Sequence, residues 1–446
     1  MMRKSWFCAA AVLTVCAVFS GNAPASAETL AGFGADISGA YPETDGGEEE
    51  ISESITESIT ENITEDMTED MTEEGPEILP DHEGSAGGRE LWDAETAARA
   101  EKILAGMTLE EKAAQLFFIA PEALTGVSQV TAAGEATREA FRNRPVGGII
   151  YFEPNLGETQ QVKDMLAGMM EISMDVTGLP VFLATDEEGG QVRRLSGRGF
   201  DDVPYIDTMY SVGQTGDKKK AEETGKTIGT YLSEYGFNVD FAPVADIFSN
   251  PENTVIADRA FGNDAGTVSG MVSSFVKGMK EAGVCATLKH FPGHGDTSED
   301  SHAGGAASYR TLREMEESEL LPFQAGIDAG AQFVMAGHIS LPSVLPDDTP
   351  ASLSYDILTG LLRNRMGFEG IIITDALNMG AVTSRYGSAD AAVQAFMAGA
   401  DMILMPADFE SAYQGILQAA QYGIISEERL DDSVRRILCV KLEAEQ

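Results

Sequence analysis

From residue 115 onward, short apolar runs alternate with stretches whose apolar residues recur at helical spacing, and the alternation repeats eight times. The runs are QLFFIA at 115–120, GGIIYF at 147–152, PVFLATD at 180–186, FNVDFAPV at 237–244, VCATLKH at 284–290, QFVMAGH at 332–338, GIIITDA at 370–376 and DMILMP at 401–406. Strands this continuously hydrophobic are buried on both faces, the mark of a parallel sheet covered by the intervening helices. Eight such units predict closure into an α/β fold, a (β/α)8 TIM-type barrel forming one folded domain over 89–446; an open doubly wound sheet is the alternative. At the start of that domain Asp93 is placed to cap a helix that ends near Ala105 and Gly106. Thr108 and Glu111 form a capping-box pattern for the helix after it.

The chain upstream of the domain reads differently. Arg3 and Lys4 precede an apolar run at 5–19, and Ala25-Ser26-Ala27 offers a small-residue cleavage site before Glu28, so 1–27 reads as an export signal. Its apolar core is too short to span a bilayer stably, so the mature chain is expected to carry no transmembrane segment and to be secreted or held at the cell surface. Cys16 raises lipoprotein anchoring as an alternative, although the preceding Val15 is not the small residue such sites prefer. Residues 28–88 contain 19 Asp and Glu and no Lys or Arg, including a four-residue repeat, SITE-SITE-NITE-DMTE-DMTE, at 54–73. Four residues advance about 400° on a helix, so the Ile/Met row drifts round the axis, and dense like charge weakens it further. The segment reads as a solvated, low-complexity spacer. A net charge of −42 argues against nucleic acid or an anionic lipid surface as a partner. Cys285 in an apolar run and Cys439 in the last predicted helix read as two buried free thiols.

Polar residues collect at the C-terminal ends of the apolar runs: Asp186, Asp246 just beyond the fourth, Lys289 and His290, His338, and Asp375. Barrel active sites form on that face, so these positions are expected to converge. The stretch KHFPGHGDTSEDSH at 289–302 holds three of the five histidines. His290 and His294 have the HxxxH spacing of a zinc pair, but that spacing joins two imidazoles on a helix, and Pro292-Gly293 between them opposes one. The other reading takes Asp300 as the carboxylate that orients His302, whose second nitrogen then gives and takes a proton near neutral pH. An exposed loop histidine beside a turn-capping Asp300 is the structural alternative. Asp375, three isoleucines into a strand end, is either a nucleophile or an ordinary helix cap.

The 289–302 stretch resembles the signature loop of the glycoside hydrolase family 3 β-N-acetylglucosaminidases, and the likeness runs through separated motifs over roughly 107–439. The resemblance implies His302 and Asp300 as the acid/base dyad and Asp375 in IIITDALNMG as the nucleophile of a retaining mechanism. It also implies sugar binding by Asp186 and Arg194 in TDEEGGQVRRL, by Arg259 in ADRAFG, and by Lys289 and His290. Gly189 and Gly190 would let the backbone turn close to the ligand. Asp240, Asp246, His294 and His338 are expected as support. The implied partner is a glycan carrying terminal β-linked N-acetylglucosamine, from peptidoglycan or chito-oligosaccharides, with cell-wall association following from export. No metal or organic cofactor is required by that chemistry. Phosphorolysis in place of hydrolysis, a family 3 β-glucosidase or β-xylosidase activity, and a non-catalytic saccharide-binding surface protein stand as alternatives.

Overall fold

The computed structural model describes residues 92–298 and 305–443. The expected export signal at 1–27, the acidic segment at 28–88, and both Asp300 and His302 lie outside the described residues. The domain opens as the capping pattern requires. Asp93 Oδ1 accepts the backbone N–H groups of Glu95 and Thr96 at 2.9 and 2.8 Å and starts the helix Ala94–Leu104. Thr108 and Glu111 cap each other's backbone reciprocally at the head of Leu109–Gln115.

Among the described residues ten strands follow: β1 Phe117–Ile119, β2 Gly148–Ile150, β3 Phe182–Thr185, β4 Val239–Asp240, β5 Cys285–Phe291, β6 Ala306–Ala307, β7 Phe333–Ala336, β8 Ile339–Ser340, β9 Ile371–Thr374 and β10 Ile403–Leu404. Eight of them, one from each apolar run, form a parallel sheet in the order β10-β1-β2-β3-β4-β5-β7-β9. Its two ends meet. Ile373 bridges Met402 in parallel, and the Thr374 N–H donates to the Met402 carbonyl at 3.1 Å. The sheet is therefore a closed barrel and not an open doubly wound one. β6 and β8 pair separately in a small sheet that the hydrophobic pattern did not announce.

Several strands are shorter than their apolar runs, and proline explains the clearest cases. In FNVDFAPV only Val239 and Asp240 keep regular pairing, since Pro243 has no N–H to offer the ladder, and Pro406 ends the last run in the same way. Phenylalanines fill the interior. Phe118 of β1 stacks on Phe182 of β3 at 6.3 Å, and Phe182 meets Phe333 of β7 edge-on at 5.3 Å. None of these strands are neighbours in the sheet, so their rings meet only inside the barrel. Each such ring contributes about 1.5–3 kcal/mol by leaving water. Room for them comes from Gly148, where a Cβ would lie 2.5 Å from the Phe118 ring. Cys285 and Cys439 are buried and unpaired, as read.

Candidate active site

The expected convergence occurs at the C-terminal mouth. Asp186 directly follows β3, Lys289 and His290 lie in the last three residues of β5, and Asp375 directly follows β9. These four, with Arg194, Arg259 and Glu188, line one cavity of about 350 Å³, a size suited to a single small ligand. Six of the eight residues singled out from sequence thus share one cavity; the other two, Asp300 and His302, are not among the described residues.

The cavity's charged wall is a chain of ion pairs. Lys289 Nζ donates to Asp186 Oδ1 at 3.0 Å and lies 2.6 Å from Glu188 Oε1. Arg259 grips Glu188 in a fork, Nε to Oε2 and Nη2 to Oε1, both at 2.8 Å. Burial pushes the Glu188 carboxyl up, but Arg259 and Lys289 outweigh it and hold the group well below the usual carboxylate range. Burial likewise works against the Lys289 ammonium, and Glu188 and Asp186 reverse the effect, so it stays charged. Arg194 reaches Asp186 Oδ2 at 3.4 Å and stands 5.7 Å from the Phe152 ring, so it belongs to the cavity and is not a surface ion pair.

Sequence reasoning passed over Glu188 and its neighbour Glu187. Glu187 is buried, and its carboxylate accepts the backbone N–H groups of Arg194, Leu195 and Ser196 and the Tyr231 hydroxyl, pinning the loop that presents Arg194. The available signal was two further acids directly after Asp186 at the strand end, too ordinary for a polar loop to stand out. Gly189 and Gly190 do take left-handed backbone, at φ 84° and 56°, yet they pack against the 206–209 segment: a Cβ on Gly189 would lie 2.7 Å from Ile206 Cγ2. Their positive φ folds the loop against that segment.

Histidine geometry corrects an expectation. His290 and His294 come within 5.9 Å of each other without a helix, because both are held by Asp246. Asp246 Oδ2 accepts from His290 Nδ1 at 2.8 Å, and its Oδ1 accepts the backbone N–H of His290 and of His294. Burial raises the Asp246 carboxyl, but the two imidazoles bring it below its ordinary value. With its Nδ1 proton directed to Asp246, His290 turns Nε2 toward Arg259 Nη2 at 3.5 Å. His294 Nδ1 meets Thr297 Oγ1 at 2.8 Å, and burial, then His290, lower its pKa. Gly295 locks this segment down, since a Cβ there would sit 1.8 Å from the Ile247 carbonyl oxygen. Among the described residues no group of three His, Cys, Asp or Glu converges as a metal site.

Asp375 is not a helix cap. Among the described residues its Oδ1 accepts only its neighbour's N–H, from Ala376 at 2.7 Å, and the next helix, Gly380–Thr383, begins after Met379. Burial would raise its carboxyl; His338, His290 and the Ala376 N–H oppose that and hold it below the ordinary aspartate value. His338 also fixes the backbone beside it. Nε2 donates to the Ala376 carbonyl at 3.0 Å, and Nδ1 pairs with Ser352 Oγ at 2.7 Å. Asp240, expected as support, is fully buried behind the wall. Burial first, then Glu187 and Asp186, push its carboxyl well up, while Oδ1 accepts the Glu187 N–H at 2.9 Å. The cavity therefore offers an ionised, fixed carboxylate at one strand end and a dense set of charged donors and acceptors a few strands away. That set suits a small polyhydroxylated ligand.

Residues 108–440 match the Glycosyl hydrolase family 3 N terminal domain. Beta-hexosaminidase A of Pseudoalteromonas piscicida is 33% identical over 332 residues, 69% of this chain and 55% of that protein. The beta-hexosaminidase of Stenotrophomonas maltophilia (strain K279a) is 34% identical over 272 residues, 60% of this chain and 78% of that one. Among solved structures, a glycoside hydrolase family 3 beta-N-acetylglucosaminidase from Paenibacillus sp. str. FPU-7 superimposes with a TM-score of 0.71 at 38% identity, covering 76% of this chain and 64% of that one. The chain accordingly spans little more than half of the first of these relatives and under two thirds of the last. A match over most of the domain, on a barrel whose charged residues gather at the expected mouth, means that this chain belongs to glycoside hydrolase family 3.

Proposed function

We propose that the protein is an exported, retaining β-N-acetylglucosaminidase that removes terminal β-linked N-acetylglucosamine from peptidoglycan fragments or chito-oligosaccharides. The observation that carries the reading is that Asp375, ionised and fixed at the end of β9, lines the same cavity as Asp186, Arg194, Arg259, Lys289 and His290. Asp375 attacks the anomeric carbon and forms a glycosyl-enzyme, while the charged wall takes the ring hydroxyls. His302, oriented by Asp300, protonates the departing oxygen and then activates the water that releases the sugar. Two features support a proton donor on the 299–304 stretch. Among the described residues, the cavity's other two carboxylates, Asp186 and Glu188, are already ion-paired to Lys289, Arg194 or Arg259. Thr297, two residues before that stretch, is anchored to His294 and Asn253. The names of the relatives favour the hexosaminidase reading over a β-glucosidase. Export and cell-wall association rest on the 1–27 segment alone.

The test is turnover of a chromogenic β-N-acetylglucosaminide by wild type, Asp375→Ala and His302→Ala, with and without phosphate. Wild type should release free N-acetylglucosamine regardless of phosphate. Asp375→Ala should be inactive yet still bind the sugar, and His302→Ala should lose about 10²–10⁴-fold in rate. Accumulation of the sugar 1-phosphate would make the protein a phosphorylase. Sugar binding without cleavage by wild type would make it a binding protein.

A further inference from the structure

Met405, the first residue after β10, has φ 43°, in the left-handed region where a Cβ is strained. Among the described residues, only Ala257 is another non-glycine residue with positive φ. The conformation is imposed from both sides. The Met405 N–H donates to the Phe118 carbonyl of β1 at 2.8 Å, and its carbonyl accepts the Asn378 N–H at 3.0 Å, three residues beyond Asp375. Glycine would take this backbone without strain, so a side chain here costs stability that its contacts have to return.

Met405 lines the cavity. Round the closed barrel, the charged lining comes mainly from the arc β3 to β5. Apart from Asp375 and Asn378, the remaining arc supplies Ile150, Phe152, Met335, Met379, Leu404 and Met405, side chains with no donor or acceptor for a hydroxyl beyond a weak thioether. The cavity is amphiphilic, with Asp375 on its apolar arc. A pyranose with equatorial substituents is amphiphilic too: hydroxyls ring its edge, and axial C–H groups make its faces apolar. We infer that Met405 is a substrate-binding residue whose thioether arm forms the platform under the carbon face of the sugar held at Asp375. This rests on reading the cavity as a glycoside site and assigns it a contact beyond the polar set. A polarisable, unbranched side chain suits a flat aliphatic face, and the strained backbone aims it there.

The experiment compares wild type, Met405→Gly, Met405→Ala and Met405→Leu as full chains. It reads the melting temperature, the Kd for N-acetylglucosamine by calorimetry, and KM against kcat on the chromogenic glycoside. Met405→Gly should melt no lower than wild type, because its backbone is relieved. Its Kd and KM should rise about tenfold, more than kcat changes, as expected when binding common to ground and transition state is removed. Met405→Ala, strained and truncated, should lose affinity and melt lower; Met405→Leu should recover most of the affinity. If Met405→Gly melts lower while its Kd stays at the wild-type value, the side chain is packing and the inference is overturned. Should wild type bind the sugar without cleaving it, the hydrolase reading fails while the Kd series still judges Met405. A wild type that binds no sugar sinks both.

Discussion

Glu188 is the carboxylate that lets two cations stand side by side in the cavity wall. Its side chain is 1% exposed, and it holds both Arg259 and Lys289. Glu188→Gln leaves their excess positive charge buried, and breaking a buried pair of this kind costs about 3–5 kcal/mol. Chemical denaturation at pH 7 should register that loss as Arg259 and Lys289 reorient. A loss below about 1 kcal/mol would mean that water screens the wall. The role could not be read from TDEEGG, where three acids follow one another with nothing to rank them. What ranks them is Arg259, 71 positions away, and which acid it would reach depends on how the loops after β3 and β4 fold back over the mouth. Asp375, by contrast, was legible, because a strand-end acid after an unbroken isoleucine run keeps its place whatever the loops do.

Elements were legible by periodicity and blurred at their ends. Every apolar run became a strand, since burial on both faces leaves no polar alternation to confuse. Their lengths were not legible, because Pro243 and Pro406 withdraw residues from pairing that the hydrophobic pattern includes. β2 illustrates a constraint that pattern alone misses: Gly148 is there because the Phe118 ring, itself packed on Phe182 and Phe241, occupies the space a side chain would need. Gly148→Ala should therefore cost about 1–3 kcal/mol by overpacking, even though alanine suits a strand better than glycine. Phe118→Ala made alongside it should cost less than the two changes separately, because the alanine methyl then has a cavity to enter. Additive losses in urea denaturation would show that the ring and the glycine do not share that space.

At the scale of the whole molecule, the last helix, Glu427–Glu443, returns to the first strands. Lys441 Nζ donates to Gln115 Oε1 at 2.8 Å across 326 positions of sequence and stands 5.1 Å from the Phe182 ring. Burial alone lowers its pKa from 10.5 to about 7. A depressed pKa stabilises the fold above the unfolded value and loses that contribution as pH falls, here through the window from 10.5 down to about 7. Lys441→Met should thus stabilise the protein at pH 7, on the order of a few kcal/mol, and by progressively less toward pH 10. Guanidinium melts of both proteins across that range check it, and a difference independent of pH would mean that the ammonium reaches water. The hydrophobic sequence by itself determined the number of barrel strands, their parallel burial and the end of each at which acids and bases would gather, because local periodicity and burial need no knowledge of distant partners. Only the tertiary structure decided that the sheet closes, that Glu188 joins Arg259 to Lys289, that Asp246 unites two histidines without a helix, and that Met405 bears a strained backbone. Each of these depends on groups far apart in sequence whose separation is set by the barrel's closure.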